Sequence, residues 1–189
     1  MMKQRAIFLD RDGVINVEKT FVLSPADMEL YPESAEAVKK INDSGFLAIV
    51  VTNQSAVARN YITVEELDRI HDELKRQLGE KGAGLDGIYY CPHRESLDEE
   101  PENTGYIMDC ECRKPKPGML LQAAEDFDID LDRSYLIGDS ARDILAGKSA
   151  GCTTIGLKTG HALKGIEEHP DYTFDDLSEA VDFILFGEV

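Results

Sequence analysis

Ile7-Phe8-Leu9-Asp10-Arg11-Asp12-Gly13 is the stretch around which the rest of the chain organises itself. A short apolar run delivers two carboxylates, one residue apart, to its own end. Gly13 then lets the backbone turn away, because glycine tolerates left-handed conformations. Carboxylates at the end of a buried strand can hold a hard cation, and an aspartate can also attack phosphorus. In a chain with 37 Asp and Glu residues the same pair could equally be a solvated acidic turn. What falls beside it in the fold decides between these.

Working outward, residues 5–10 predict a first strand. Residues 33–44 predict a helix, with Ala35, Val38 and Ile41 on one face and Gly45 at its C-cap. The unbroken apolar run 46–52 fits a parallel strand covered on both faces. Thr63-Val64-Glu65-Glu66 is a capping box that opens a helix to about Gly79. Residues 86–90 form a strand running straight into Cys91, and Pro117 starts a helix over 117–127. Residues 134–138 and 153–157 are further strands, with a helix over 141–150 between them closed by Gly151. A short edge strand at 172–174 precedes a last helix over 177–186. Strands alternating with helices predict an α/β domain: a Rossmann-like open parallel sheet with helices on both faces and right-handed crossovers. No internal repeat or low-complexity linker interrupts it, so residues 1–189 are expected to form a single domain. Insertions are short enough that only a minimal cap, and a monomer, are expected. The irregular stretches 11–32, 53–62, 91–117 and 158–171 follow strand ends, where ligands bind in open α/β sheets.

Composition narrows the partners. At 189 residues the chain can bury roughly 70% of its unfolded surface. A net charge of -17 excludes a broad nucleic-acid footprint but admits a small phosphorylated substrate, for which a few local cations suffice. No apolar run approaches the ~20 residues of a membrane span, and the N-terminus lacks an export signal. A cytoplasmic location is therefore expected. In that setting the cysteines point to metal rather than to disulfides.

Two further strand ends carry chemistry. Residues 46–51 lead into Thr52-Asn53-Gln54-Ser55, a cluster of short hydrogen-bonding side chains. Leu136-Ile137-Gly138 ends in Asp139, with Asp143 one helical turn on. Cys112-Arg113-Lys114-Pro115 brings two cations into a loop. Cys91-x-His93 and, after sixteen residues, Cys110-x-Cys112 match a Cys₃His tetrahedral zinc site, whose four protein ligands leave no open position and mark it as structural. Reduced surface cysteines without a metal are the plain alternative. The loop between the pairs is acidic and poor in apolar residues, so a metal clip is expected to order it. Because Cys112 adjoins Arg113 and Lys114, the clip also fixes where those cations point.

Asp10-x-Asp12, Thr52, Lys114 and Asp139, in that order, resemble the four motifs of the haloacid dehalogenase superfamily of phosphatases. The resemblance implies Asp10 as nucleophile and Asp12 as the acid that protonates the leaving alkoxide, then as base on the attacking water. It implies Thr52 and Lys114 around the transferring phosphoryl group. Mg²⁺ would lie on the side chains of Asp10 and Asp139 and the main-chain carbonyl of Asp12. With the zinc loop, the chain further resembles the D-glycero-D-manno-heptose 1,7-bisphosphate 7-phosphatases and the related histidinol-phosphate phosphatases. The likeness runs through residues 8–16, 51–55, 86–93 and 112–119. It implies a phosphorylated sugar as substrate, hydrolysis at position 7, a role in lipopolysaccharide or related glycan synthesis, and substrate reading by Arg113, with Asn53, Gln54 and Ser55 beside the phosphate. Glu18-Lys19-Thr20-Phe21 departs from the Asp-His-Gly-Tyr often found there, Ser55-Ala56 from Ser-Gly, and Ser140 from a frequent lysine. A histidinol-phosphate substrate, with Glu18 as ammonium partner, is the enzymatic alternative. A phosphoacceptor or zinc-organised binding module is the non-enzymatic one.

Other residues read as structural. His71, mid-helix among charges, is expected as a surface or half-buried residue; His161 and His169 lie in a late loop that could brush the site but read first as solvated; Cys152 reads as a small buried hydrophobe. Tyr89 and Tyr90 should pack around the strand and zinc loop. Glu99-Glu100 reads as a solvated charge run.

Overall fold

A computed structural model describes residues 3–95, 102–165 and 167–187; the Glu99-Glu100 run lies outside the described residues. The elements follow the order β1 (Ala6–Leu9), α1 (Ser34–Asp43), β2 (Leu47–Asn53), α2 (Val64–Gly79), β3 (Gly87–Cys91), α3 (Gly118–Phe127), β4 (Tyr135–Gly138), α4 (Ala141–Ala150), β5 (Thr153–Leu157), β6 (Tyr172–Phe174) and α5 (Leu177–Phe186). Six strands pair in parallel in the order β3-β2-β1-β4-β5-β6. The chain winds outward from β1 to β3 and returns to β4 on the other side. Its winding direction therefore reverses between β1 and β4, and open α/β sheets bind ligands at such a point, beyond the carboxyl ends of the strands.

The period-2 alternation of β1 and β2 divides the core. Ile7, Leu9, Ala48 and Val50 face the cluster built by α1, α2 and α5, including Val38, Ile41, Leu74 and Val181. Ala6, Phe8, Ile49 and Val51 face the smaller cluster of α3 and α4, with Leu120, Ala123 and Ala146. Both faces of the central strands are thus dry, which is why they read as unbroken apolar runs.

Element ends follow their caps. Thr63 Oγ1 accepts from Glu66 N at 3.2 Å while Glu66 Oε2 accepts from Thr63 N at 2.8 Å, the reciprocal pair expected to open α2. Removing the threonine hydroxyl would cost about 1 kcal/mol. Gly151 closes α4 in the left-handed region. Several boundaries move by one residue from the sequence reading, as at β2, which continues through Asn53 because Asn53 still pairs with Cys91. No helix of the described residues is long and apolar enough to cross a membrane.

Candidate active site

Beyond β1 the main chain keeps its pairing for one more residue: Asp10 N donates to Ile137 O at 3.0 Å. Arg11 O then accepts from Ile15 N and Asn16 N at 2.9 and 3.1 Å, and Gly13, at φ +81°, completes the turn. A Cβ at Gly13 would overlap Asp139 Oδ2, as would one at Gly160. Glycine at both positions lets the loop after β5 close over β1 and β4. The two acids of the opening stretch thereby enter different surroundings.

Asp10 lies among carboxylates. Asp10, Asp139 and Asp143 can each bring one oxygen within 4.8 Å of the others. One ammonium faces them: Lys114 Nζ is 3.1 Å from Asp10 Oδ1 and 2.5 Å from Asp143 Oδ1, and donates to Val51 O at 2.7 Å. Burial, and then the charge of Asp143, push Asp10 up to about 8; Lys114 opposes this, and Asp139 and Asp12 add to it. For Lys114 burial acts downward, but Asp10 and Asp143 outweigh it and hold the ammonium charged. Negative charge is therefore in excess at this spot, and the oxygen-only donor set fits a hard divalent cation such as Mg²⁺. Asp143, which the sequence showed one turn beyond Asp139 without a role, is thus a central member of the group. It also accepts from Ser140 N at 3.0 Å and Ser140 Oγ at 2.6 Å, which ties it to the first turn of α4.

Asp12 has the opposite surroundings, with its carboxylate turned toward donors. Arg11 Nε reaches Oδ1 at 3.2 Å, and Arg11 Nη2 reaches Oδ1 and Oδ2 at 3.0 and 2.9 Å. Asn16 Nδ2 adds a bond to Oδ1 and Gln54 Nε2 one to Oδ2, both at 2.8 Å. Burial raises this carboxyl, but the Arg11 guanidinium and the two amides outweigh it and hold it below the usual range. The Arg11 side chain is fully buried, and its Nη1 sits 3.2 Å from His71 Nε2.

The structure corrects two of the bland readings. His71 is 3% exposed, packed beside Tyr90 at 5.3 Å between ring centroids, and not a surface residue of α2. Its place was visible in the stripe Leu67, His71, Leu74, Leu78, whose spacing puts all four on the buried face. His161 is half exposed, yet its N and Nδ1 lie 2.6 and 2.9 Å from Asp139 Oδ2. His169 is exposed and Cys152 buried, as expected.

The strand end after β2 supports both acids. Asn53 Nδ2 donates to Lys114 O and Asn53 Oδ1 accepts from Lys114 N, both at 3.0 Å, so β2 grips the main chain of the lysine loop. Gln54 Nε2 also donates to Thr52 Oγ1 at 2.9 Å, and Gln54 Oε1 accepts from Arg11 Nη2 at 3.0 Å. The amides of Asn53 and Gln54 are thus engaged within the protein, and all four residues from Thr52 to Ser55 line the cavity over Asp10.

That cavity holds about 330 Å³ and is bounded by Asp10, Asp12, Lys114, Asp139, Glu18 and Phe21, among others. Ser55, Arg59, Arg113, Lys114 and Arg142 are shared with an adjoining cavity of about 440 Å³ toward the loop that carries Cys110. Phe21 stands edge-on to Tyr61 at 5.3 Å and lies under the Arg59 guanidinium at 5.4 Å. The atypical 18–21 segment therefore forms one wall.

At the end of β3, Cys91 Sγ is 3.6 Å from His93 Nδ1 and 3.5 Å from Cys110 Sγ. Cys112 Sγ is 3.3 Å from His93 Nδ1 and 3.4 Å from Cys110 Sγ. Zinc–sulfur bonds near 2.3 Å and zinc–nitrogen bonds near 2.0 Å would place tetrahedral ligands roughly that far apart, so the four atoms fit zinc. The loop is not held by these ligands alone. Arg94 N donates to Tyr106 O at 3.2 Å, Met108 N to Arg94 O at 3.0 Å, and Asn103 N to Ala58 O at 2.8 Å. Arg113 Nη1 donates to His93 O at 2.8 Å, which couples the cluster to the cation beside Lys114.

Clustered aspartates facing one buried lysine at the carboxyl edge of a parallel sheet fit the hydrolase class of the haloacid dehalogenase superfamily, and a HAD-hydrolase-like family model matches residues 111–180. A D-glycero-beta-D-manno-heptose-1,7-bisphosphate 7-phosphatase of Pasteurella multocida is 41% identical over 161 residues, 85% of each chain. A D-glycero-D-manno-heptose-1,7-bisphosphate 7-phosphatase of Thermosynechococcus vestitus is 40% identical over 190 residues, 97% of this chain and 96% of that one. The crystal structure of D,D-heptose 1,7-bisphosphate phosphatase from B. bronchiseptica, complexed with magnesium and phosphate, aligns with TM-score 0.84 at 33% identity, covering 98% of this chain and 100% of that one. The chain belongs to the heptose 1,7-bisphosphate phosphatase family of that superfamily.

Proposed function

We propose that the chain is a Mg²⁺-dependent phosphatase that removes the 7-phosphate of D-glycero-D-manno-heptose 1,7-bisphosphate through an aspartyl-phosphate on Asp10, with a structural zinc at Cys91, His93, Cys110 and Cys112. The observation that carries this is Asp10, placed at the switch point with Lys114 at 3.1 Å and Asp139 and Asp143 around it. Asp10 and Asp139, with Asp143 behind them and the Asp12 main-chain carbonyl, would hold the magnesium. When bound, the cation neutralises phosphate oxygens and favours the ionised Asp10. Asp10 Oδ attacks phosphorus and the ester bond breaks. Lys114 and Thr52 steady the transferring oxygens, because phosphoryl transfer asks chiefly for positioning and charge neutralisation. Asp12 delivers a proton to the departing alkoxide and then takes one from the water that hydrolyses the acyl phosphate.

Arg113 and its guanidinium neighbours suit the second phosphate of a bisphosphate, since forked donors match phosphate oxygens. The same group of cations disfavours an ammonium-bearing substrate such as histidinol phosphate. A single domain, a small phosphorylated sugar as partner, a monomer, a cytoplasmic location and a place in glycan synthesis belong to this reading. Phosphate release with Mg²⁺ from both anomers of heptose 1,7-bisphosphate, from histidinol phosphate and from an aryl phosphate tests it. The expected order puts a heptose bisphosphate highest in kcat/KM. A preference for histidinol phosphate, or no turnover on any substrate, contradicts it.

A further inference from the structure

We propose that His71 is a positioning residue for the leaving-group half of the reaction: through Arg11 it fixes the direction in which the Asp12 carboxylate is presented. This rests on Asp12 being the acid, as proposed above. Arginine has donors only, so the 3.2 Å contact between Arg11 Nη1 and His71 Nε2 requires an unprotonated Nε2 that accepts. That bond anchors one arm of a fully buried guanidinium. The other arm, Nη2, spans both oxygens of Asp12 and Gln54 Oε1, and Nε returns to Asp12 Oδ1. With Asn16 and Gln54, Asp12 accepts from three side chains on two sides, and its carboxylate has one supported orientation.

His71 is the only contribution of α2 to this network that the contacts above include, and it does not touch Asp12. Without its acceptor, Arg11 Nη1 would lie buried and unpaired, and the fork would turn to find a partner. Asp12 would turn with it, and small displacements of a reacting group are costly in rate. The effect should depend on the leaving group. A sugar alkoxide must be protonated as it departs, whereas a nitrophenolate departs almost unaided.

The test mixes excess zinc- and magnesium-loaded enzyme with heptose 1,7-bisphosphate or nitrophenyl phosphate in single turnover, where alcohol release reports the first transfer alone. His71→Leu is expected to lower the sugar-to-aryl rate ratio by about tenfold or more, a part of the full general-acid effect. His71→Gln, which keeps an acceptor near the Nε2 position, is expected to restore the ratio toward wild type. Should the leucine variant fail to fold, His71→Asn, whose amide is too short to reach Arg11, makes the same comparison. An unchanged ratio in the leucine or asparagine variant, or an equal fall on both substrates, overturns the proposal. Asp12→Asn in the same assay separates the two readings. If it lowers the ratio and the His71 variants do not, only the His71 inference fails. If Asp12→Asn leaves the ratio unchanged, or the wild type releases no sugar, the proposed acid falls and the His71 inference with it.

Discussion

Asp10 and Asp12 are separated by one residue in sequence and have opposite electrostatic surroundings. Around Asp10, two further carboxylates share a single ammonium, and burial with the charge of Asp143 pushes its carboxyl up to about 8. Around Asp12, a buried guanidinium and two amides serve a single carboxylate, which is held below the usual range despite its own burial. The difference shows which acid calls for a cation. A bound divalent cation would offset the excess charge of the first site, whereas the second is satisfied without one. Without a cation these shifts run opposite to the proposed duties, so an ionised Asp10 and a protonated Asp12 both depend on the bound cation and phosphate.

The largest effect should come from breaking the satisfied side. Asp12→Asn leaves the Arg11 charge buried without a counter-charge, so it should cost about 3 kcal/mol in urea unfolding, the lower end for a broken buried pair. Its turnover of sugar phosphate should fall by ~10²–10⁴-fold. Unchanged stability would mean that Arg11 does not depend on Asp12.

The same substitution on the crowded side should have the opposite sign. Between the ordinary carboxylate range and about 8, folded Asp10 keeps a proton that the unfolded chain has released. Folding therefore binds a proton there, and this group's contribution to stability falls as pH rises through that window. In chelator, Asp10→Asn should be the more stable protein at pH 8 by on the order of 1 kcal/mol, with the advantage shrinking toward pH 4. Magnesium should narrow that gap at pH 8. An Asp10→Asn protein less stable than wild type at every pH would contradict the crowding.

Much of this was legible in the sequence because it lies along the chain. The helix at Ala141–Ala150, the last two strands and the last helix have the bounds that caps and periodicity predict. The Cys₃His cluster was legible from the spacing of its four residues, and the strand-end acids from the apolar runs before them. What escaped is contact between distant elements. Arg11 reads as the spacer of an Asp-x-Asp pair, and only the fold shows it buried against His71 of α2. Asp143 shows in the sequence only as an acid one turn beyond Asp139, and the approach of the 113–116 loop gives it Lys114. His161 was legible only as a loop residue within reach of the site, because its contact with Asp139 needs the close passage of Gly160 over Gly13, a matter of loop geometry with no periodic signal.

The division of labour between the two aspartates is the central claim, and chemical trapping addresses it most directly. Borohydride reduces an acyl phosphate to an alcohol, so quenching the Mg²⁺-loaded enzyme during turnover of heptose 1,7-bisphosphate should convert residue 10 to homoserine, as read by peptide mass spectrometry. With nitrophenyl phosphate, whose leaving group needs no acid, conversion should build up further in Asp12→Asn, which lacks the base for the second step, and with either substrate it should be absent in Asp10→Asn. Turnover with residue 10 unmodified, or trapping at residue 12 instead, would contradict the assignment.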